Sequence, residues 1–580
     1  KRRKQDMEYA AIRHFADKRY CYAMAKGHFL IRLEVKKGDA AKVTLHTQNK
    51  YLPIRYMDTR QARPMEIACS DNYIDYYEAE VEIDVVCLRY FFEIADYAGK
   101  TVYYGNHCFY DQCITSIDRM FDCPQNLREE ERFRLPAWAE NKVIYQIFPS
   151  RFAADKEVPE EIWYQAPIDS KTDLKGSLRG IIQHFGYIRS LGVDILYLTP
   201  VFSSDSVHKY NIRDYYQIDP AFGDKEDLKE LVRLAHESGM YVILDGVFNH
   251  TGIDFFAFRD IREKQEDSAY LDWYYIESFP LVMEWGKRPS YKTFSYAGFM
   301  PKVNLNNPET ADYFIDAAAY WIRECDIDGW RLDVADEITH GFWKRFRREM
   351  KAVKKDVLVV GEIWHYAGDF LEGDEWDSVM NYPFYDSVLE LVAKEETAPS
   401  AFLGHRNFVR GNLNRGLEGY LWNFIDSHDT ARFLHSAGSD IKKQKLAAAM
   451  QLLLPGMPMI YYGDEVGMEG GPDPDCRRGM LWEEDRQNRE CLAYYRRLIR
   501  IRHDFPGLTK GKMVKEYADD HKGVLYMERN WQGQSLVLIF HVRKGNVSLP
   551  GLRGRRNLIT GGDFSGLLGD YEAALLADLP

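Results

Sequence analysis

The sequence predicts an α/β fold: a (β/α)8 (TIM) barrel with an N-terminal β-sandwich, a small insertion after the third barrel strand and a C-terminal antiparallel β domain. Three observations carry this. Eight short apolar runs between residues 143 and 463 alternate with amphipathic helical stretches, short strands precede residue 105, and strands return without helices after about Asp504.

At 580 residues the chain exceeds one ordinary domain of roughly 100–250 residues. Residues 1–125 are assigned to the sandwich, because HFLIRLEV, AKVTLHT and AEVEIDVV are separated by Lys, Gly, Asp and Asn turns. The charged segment QNLREEERFRLPAW reads as a linker. Residues 126–504 are assigned to the barrel, with strands at VIYQIF, DILYLT, YVILDGVF, DGWRLD, VLVVGE, WDSVMN, LWNFID and MPMIYYG. Asn307 and Pro308 predict an N-cap and first turn, after which Phe314, Ala318, Trp321 and Cys325 recur on one helical face as core. The stretch from about 251 to 305, aromatic and turn-rich, is too long for a plain connection. GVLYMER and SLVLIF place the last domain at 505–580.

Composition excludes some functions. A net charge of −13 disfavours a nucleic-acid partner, which needs a basic footprint. No run of about 18 apolar residues suggests a membrane span, and the start, KRRKQDMEYAAIRHF, lacks the apolar stretch of a secretory signal. The nine cysteines are odd in number, scattered and without a CxxC pair, so neither a disulfide framework nor a zinc site is indicated. A cytoplasmic location is the expectation. The aromatic content of 14% suits sugar stacking, although core packing explains it as well.

Barrels of this kind place chemistry at the C-terminal ends of their strands. Asp245, Asn249 and His250 follow the third strand, Arg331 and Asp333 lie on the fourth, Glu362 ends the fifth, and His428 and Asp429 follow the seventh. One Asp at a strand end is more often a turn residue; several at one barrel mouth point to a site. Alternation puts Arg331 and Asp333 on the same side, where the guanidinium would lower the carboxyl pKa as a nucleophile requires. Glu362, after the apolar VLVV, is placed to keep a proton and act as general acid. Neighbouring strands about 4.8 Å apart allow the carboxyl spacing of roughly 5–5.5 Å used by retaining glycosidases.

DGVFNH at 245, GWRLDVADE at 329, GEIW at 361 and FIDSHD at 424 resemble, in order, the four signature regions of the α-amylase family. The similarity continues through HKYNIRDYYQIDPAFG and YYGDEVGMEGGPDPDCRRGMLW. The resemblance implies a retaining glycoside hydrolase with Asp333 as nucleophile, Glu362 as acid/base and Asp429 as transition-state stabiliser. Arg331, His250 and His428 would hold the sugar at the cleavage point and Tyr210 would stack beneath it. Asp473 and Arg477 would contact the next sugar, and Trp364 would form an acceptor platform, with a plain wall residue as the alternative.

MPKVN at 300, the segment DVADE and the N-terminal domain resemble the neopullulanase, cyclomaltodextrinase and maltogenic amylase group. That implies α-1,4 cleavage in cyclodextrins, maltooligosaccharides and pullulan, and a homodimer. An endo-acting α-amylase or 4-α-glucanotransferase is the alternative reading; an inactive barrel serving as a binding subunit is a remote one, since all three carboxylates are present. Tyr51, Tyr56, Tyr73 and Tyr76 could make the N-terminal domain a starch-adhesion platform. Ser427, Asn211 and Asp336 depart from the usual pattern. No cofactor is required for this chemistry. AADKEVPEE after SRF lacks the ligands that relatives use for calcium, which argues against an ion at that loop, and Asn249 is weak evidence for one elsewhere.

Overall fold

Strands buried on both faces read as unbroken apolar runs, and the eight runs noted above form one parallel sheet. In the computed structural model, which describes residues 7–25, 27–51, 60–82, 88–123, 135–284 and 286–578, they are β1 (Ile144–Ile147), β2 (Ile195–Leu198), β3 (Tyr241–Gly246), β4 (Gly329–Leu332), β5 (Leu358–Gly361), β6 (Ser378–Val379), β7 (Trp422–Asn423) and β8 (Met457–Tyr461). Their order runs β6-β5-β4-β3-β2-β1-β8-β7, and a parallel bridge from Met380 to Trp422 closes the ring between β6 and β7. Ile144, Ile195, Tyr197, Ile243, Leu358, Val360, Trp422 and Met459 share one buried cluster.

The helix Pro308–Cys325 begins where the sequence predicts. The Asn307 side chain accepts the Thr310 N–H at 3.1 Å, and Phe314, Ala318, Trp321 and Cys325 are buried. Between β3 and this helix the insertion builds a helix, Phe256–Lys264, and is tied down by the bridges His250–Lys302, Tyr274–Val303 and Thr293–Pro301. The helix Arg489–Asp504 ends the barrel chain. After a single short turn, the strands Lys512–Asp519, Val524–Trp531, Gln534–His541, Glu572–Ala577 and Arg556–Asn557 form an antiparallel sheet around Val537, Ile539 and Leu576.

The N-terminal unit comprises two antiparallel sheets. One is ordered Cys21–Ala25, His28–Lys36, Ile74–Glu82, Glu66–Ser70; the other runs Gln61–Pro64, Ala40–Asn49, Leu88–Asp96, Thr101–Gly105, Cys108–Tyr110. Leu33, Leu45, Tyr90, Phe92 and Ile94 lie in the core between them. A boundary drawn along the sequence does not capture one feature: Ser400–Leu417 clusters with this unit and not with the barrel. Arg32 donates to Glu78 Oε1 through Nε at 2.9 Å and Nη2 at 2.6 Å, while Arg415 Nη2 reaches Glu78 Oε2 at 2.6 Å. Of the four tyrosines read as an adhesion platform, Tyr51 and Tyr73 are exposed and Tyr56 lies outside the described residues. Tyr76 is corrected: it is 2% exposed, with its hydroxyl donating to Asp71 Oδ2 at 2.8 Å, so burial removes it from any platform. Among the described residues no helix is long and apolar enough to cross a membrane.

Candidate active site

Register between neighbouring strands decides which side chains meet at the barrel mouth. Asp245 on β3 lies opposite Arg331 on β4, and Leu332 lies opposite Gly361 on β5. Asp333 and Glu362 are the next residues on their strands. The Asp333 N–H donates to the Gly246 carbonyl at 3.1 Å and the Glu362 N–H to the Leu332 carbonyl at 2.9 Å, so both carboxylates leave the sheet side by side.

One guanidinium gathers four carboxylates. Arg331 is fully buried; its Nη1 donates to Asp245 at 3.0 and 3.1 Å and to Asp333 Oδ1 at 2.9 Å. Its Nη2 lies 2.8 Å from Glu362 Oε1 and 4.0 Å from Asp429 Oδ2, but off the line that a hydrogen bond needs. Burial pushes the Asp333 carboxyl well above the usual carboxylate range; Arg331 opposes this, while Glu362, Asp245 and Asp429 add to it. The expectation that Arg331 would lower this group is therefore corrected. The arginine acts in the expected direction, but desolvation and three like charges outweigh it. Asp245 is likewise raised by burial, to about 6, against the pull of Arg331 and the Tyr197 hydroxyl. Protons in such a set belong to the cluster and not to one residue.

Neutral rings line the other side. His428 Nδ1 is 2.7 Å from Gln146 Nε2, and its Nε2 contacts the Tyr210 hydroxyl. The Tyr210 and His428 rings are parallel within 2°, with centroids 5.5 Å apart. Burial, reinforced by Arg477 and Arg331, holds His428 well below its usual value, so its 3.1 Å approach to Asp429 Oδ2 is a polar contact of a neutral ring and not an ion pair. Burial also lowers His250 to about 3; its Nε2 is 3.1 Å from the Tyr210 carbonyl oxygen and its ring stacks on Phe294.

Arg477 links the remaining predicted residues. It donates to Asp429 Oδ1 at 3.2 Å and pairs with Asp473 Oδ1 at 2.8 Å. Trp364 donates to Glu362 Oε1 at 3.1 Å and stacks on Tyr382 at 4.6 Å, yet remains 56% exposed. Tyr210, His250, Asp333, Glu362, Trp364, Asp429, Asp473 and Arg477 line one cleft of about 450 Å³, with Arg331 and His428 buried against the carboxylates they hold.

Residues 146–504 match the catalytic domain of alpha amylase, and residues 7–125 match the alpha amylase N-terminal ig-like domain. The chain belongs to the alpha-amylase family. It is similar to a cyclomaltodextrinase of Geobacillus thermopakistaniensis (strain MAS1), 39% identical over 96% of both chains. Neopullulanase 2 of Thermoactinomyces vulgaris is 40% identical, over 92% of this chain and 91% of that one. A solved cyclomaltodextrinase structure superposes with a TM-score of 0.90 at 34% identity, covering 98% of each chain. This alpha-amylase family member is a glycoside hydrolase.

The family cleft also contains residues that sequence reasoning did not single out: His208, Phe294, Met300 and Val334. His208 and Met300 lie within the motifs HKYN and MPKVN, which were the available signal. Phe294 sits in the insertion, where sequence carries no periodicity. Val334 holds a left-handed conformation, φ 45 and ψ 47, unusual for a β-branched residue. Its N–H donates to Glu362 Oε2 at 2.9 Å. Of the departures from the family pattern, Asp336 lines the cleft, whereas Asn211 turns to accept the Ser204 hydroxyl at 2.8 Å.

Among the described residues no three His, Cys, Asp or Glu side chains are grouped to hold a metal ion. At Asn249 a lysine occupies the acceptor: Lys302 Nζ donates to Asn249 Oδ1 and also to Glu337 Oε2 at 2.8 Å and to the Glu337 carbonyl at 3.2 Å.

Proposed function

We propose that this alpha-amylase family member hydrolyses α-1,4-glucosidic bonds of cyclodextrins and short maltooligosaccharides, pullulan included among its substrates, with retention of configuration. The observation that carries the reading is the pair Asp333 and Glu362, in matching positions on adjacent strands and sharing one guanidinium at the floor of the cleft. Strand spacing of about 4.8 Å supports the short carboxyl separation of a retaining pair.

In this reading the Asp333 and Glu362 pair shares one proton, which Glu362 gives to the glycosidic oxygen as the ionised Asp333 attacks the anomeric carbon and the C–O bond breaks. Glu362 then takes a proton from the water that displaces Asp333, which releases an α-configured sugar. Arg331 orients both carboxyls from beneath. The neutral His250 and His428 serve as hydrogen-bonding groups, not charges, and Tyr210, its hydroxyl anchored to Asp245 at 3.0 Å, presents its ring as a platform. Asp429 favours the positive charge developing on the ring. Asp473 with Arg477 holds the next donor sugar, and Trp364 the acceptor.

The names of the similar proteins support the preference for cyclic and short substrates. No cofactor takes part in this mechanism, and Lys302 argues against calcium at Asn249. A homodimer is part of the reading, from the resemblance of the N-terminal domain to that of the cyclomaltodextrinase group. So is a cytoplasmic location. The test is the ratio of initial rates on β-cyclodextrin and soluble starch, with Asp333→Asn as blank. A ratio above one with a dead blank is expected. A ratio well below one would replace the substrate reading with an open-cleft amylase, and an active blank would overturn the nucleophile.

A further inference from the structure

The insertion ends in a compact loop, Thr293–Pro301, closed by the Thr293–Pro301 bridge, the Phe294 N–H to the Met300 carbonyl at 3.0 Å, and the Met300 N–H to the Ala297 carbonyl at 2.8 Å. The Tyr291 hydroxyl braces it by donating to the Gly298 carbonyl. Its base belongs to the cleft, since Phe294 and Met300 both line it. Its tip carries two features that oppose ordinary stability. Ser295 (φ 45) and Tyr296 (φ 60) are consecutive non-glycine residues in the left-handed region. The Tyr296 side chain is 85% exposed, with Phe299 also exposed three residues on.

Left-handed strain at non-glycine positions persists where surrounding structure enforces it, and it collects at ligand-binding loops. A large ring that forgoes burial in a loop with fixed ends offers a flat apolar face to something outside the chain. The loop base places that face two residues from a cleft-lining ring. We propose that Tyr296 is a specificity-determining platform for α-glucan outside the cleft, stacking on a glucose unit of a cyclic or long substrate too remote for the short ones to reach. This rests on the α-glucan hydrolase reading above and extends it beyond the cleft.

The test uses the full-length enzyme with Tyr296→Asn and Tyr296→Phe. Asn tolerates the left-handed conformation and so keeps the loop while removing the ring; Phe keeps the ring. With β-cyclodextrin, maltoheptaose and maltotriose as substrates, Tyr296→Asn is expected to raise KM for the first two about three- to tenfold more than for maltotriose, as loss of one aromatic contact predicts. Tyr296→Phe should retain the wild-type ratio. Equal changes for all three substrates, or none, would overturn the platform. A changed sedimentation coefficient in Tyr296→Asn would overturn it in favour of a contact with a second copy. Failure of the wild type itself on all three sugars would instead reject the α-glucan reading, so the two failures are distinguishable.

Discussion

The Val334 backbone N–H donates to Glu362 Oε2 across 2.9 Å, from a β-branched residue held at φ 45 and ψ 47. The residue after the proposed nucleophile thus aims a donor at the proposed acid. Strain of this kind costs about 1–3 kcal/mol, and glycine would relieve it at an entropic cost of about 0.5–1 kcal/mol. Val334→Gly should therefore hold or raise stability by about 1 kcal/mol in urea unfolding. Its kcat should fall about ten- to a hundredfold as the donor loosens. A clear loss of stability would show that the conformation is not strained.

The two carboxylates can be separated by leaving group. α-Maltosyl fluoride departs without protonation, so Glu362→Gln should still release a burst of fluoride while losing about 10²–10⁴ in rate on maltotriose. Asp333→Asn should release none. Equal losses on both substrates would mean that Glu362 is not the proton donor.

Asp245, raised by burial to about 6, makes a signed prediction. The folded state keeps this proton over a range where the unfolded chain, with a pKa near 3.9, has lost it. The stability this group contributes is complete below about pH 4, declines as pH rises to about 6, and is flat above. The stability difference between wild type and Asp245→Asn should accordingly move against the wild type as pH rises through that window. Urea midpoints at pH 4.5, 5.5 and 6.5 measure it; a pH-independent difference would contradict the shift.

Lys302 should make the Asn249 site indifferent to chelators. EDTA is expected to leave the melting temperature of the wild type unchanged. Lys302→Ala, which leaves Asn249 Oδ1 without its lysine donor, should lose about 1–3 kcal/mol and recover part of it in millimolar calcium. A wild type that EDTA lowers to the level of Lys302→Ala would refute the assignment.

In the N-terminal unit, burial raises the Glu78 carboxyl less than Arg32 and Arg415 lower it, so it lies below its usual value. Glu78→Gln leaves Arg32 buried without its counter-charge and should cost about 3–5 kcal/mol. Glu80→Gln, which loses an exposed contact to the same Arg415, should cost less than about 1 kcal/mol. Similar losses from the two would place the stability elsewhere.

The barrel was legible because strands buried on both faces leave apolar runs, and because Asn307 and Pro308 punctuate the helix they start. The convergence of Asp333, Glu362 and Asp429 could be read from strand ends alone. What could not be read depends on sums over space. The direction of the Asp333 shift needs burial and three like charges counted together. Tyr73 lies exposed in the turn before the strand Ile74–Glu82, whereas Tyr76, three residues on, lies buried within it. Phe294 lies in a loop with no periodic pattern, and the role of Lys302 required its partner Asn249, 53 positions away.

Ser400–Leu417 leaves the barrel's stretch of chain between β6 and β7 and joins the N-terminal unit, where Arg415 and the Leu413 carbonyl complete the buried charge set of Arg32 and Glu78. The N-terminal module is therefore not a cassette. A graft or recombination joint near residue 125 would carry Glu78 to a new host and leave Arg415 behind. Two separated stretches of the gene must be inherited together for the module to be whole, and a chimaera that respects only the linker would break it.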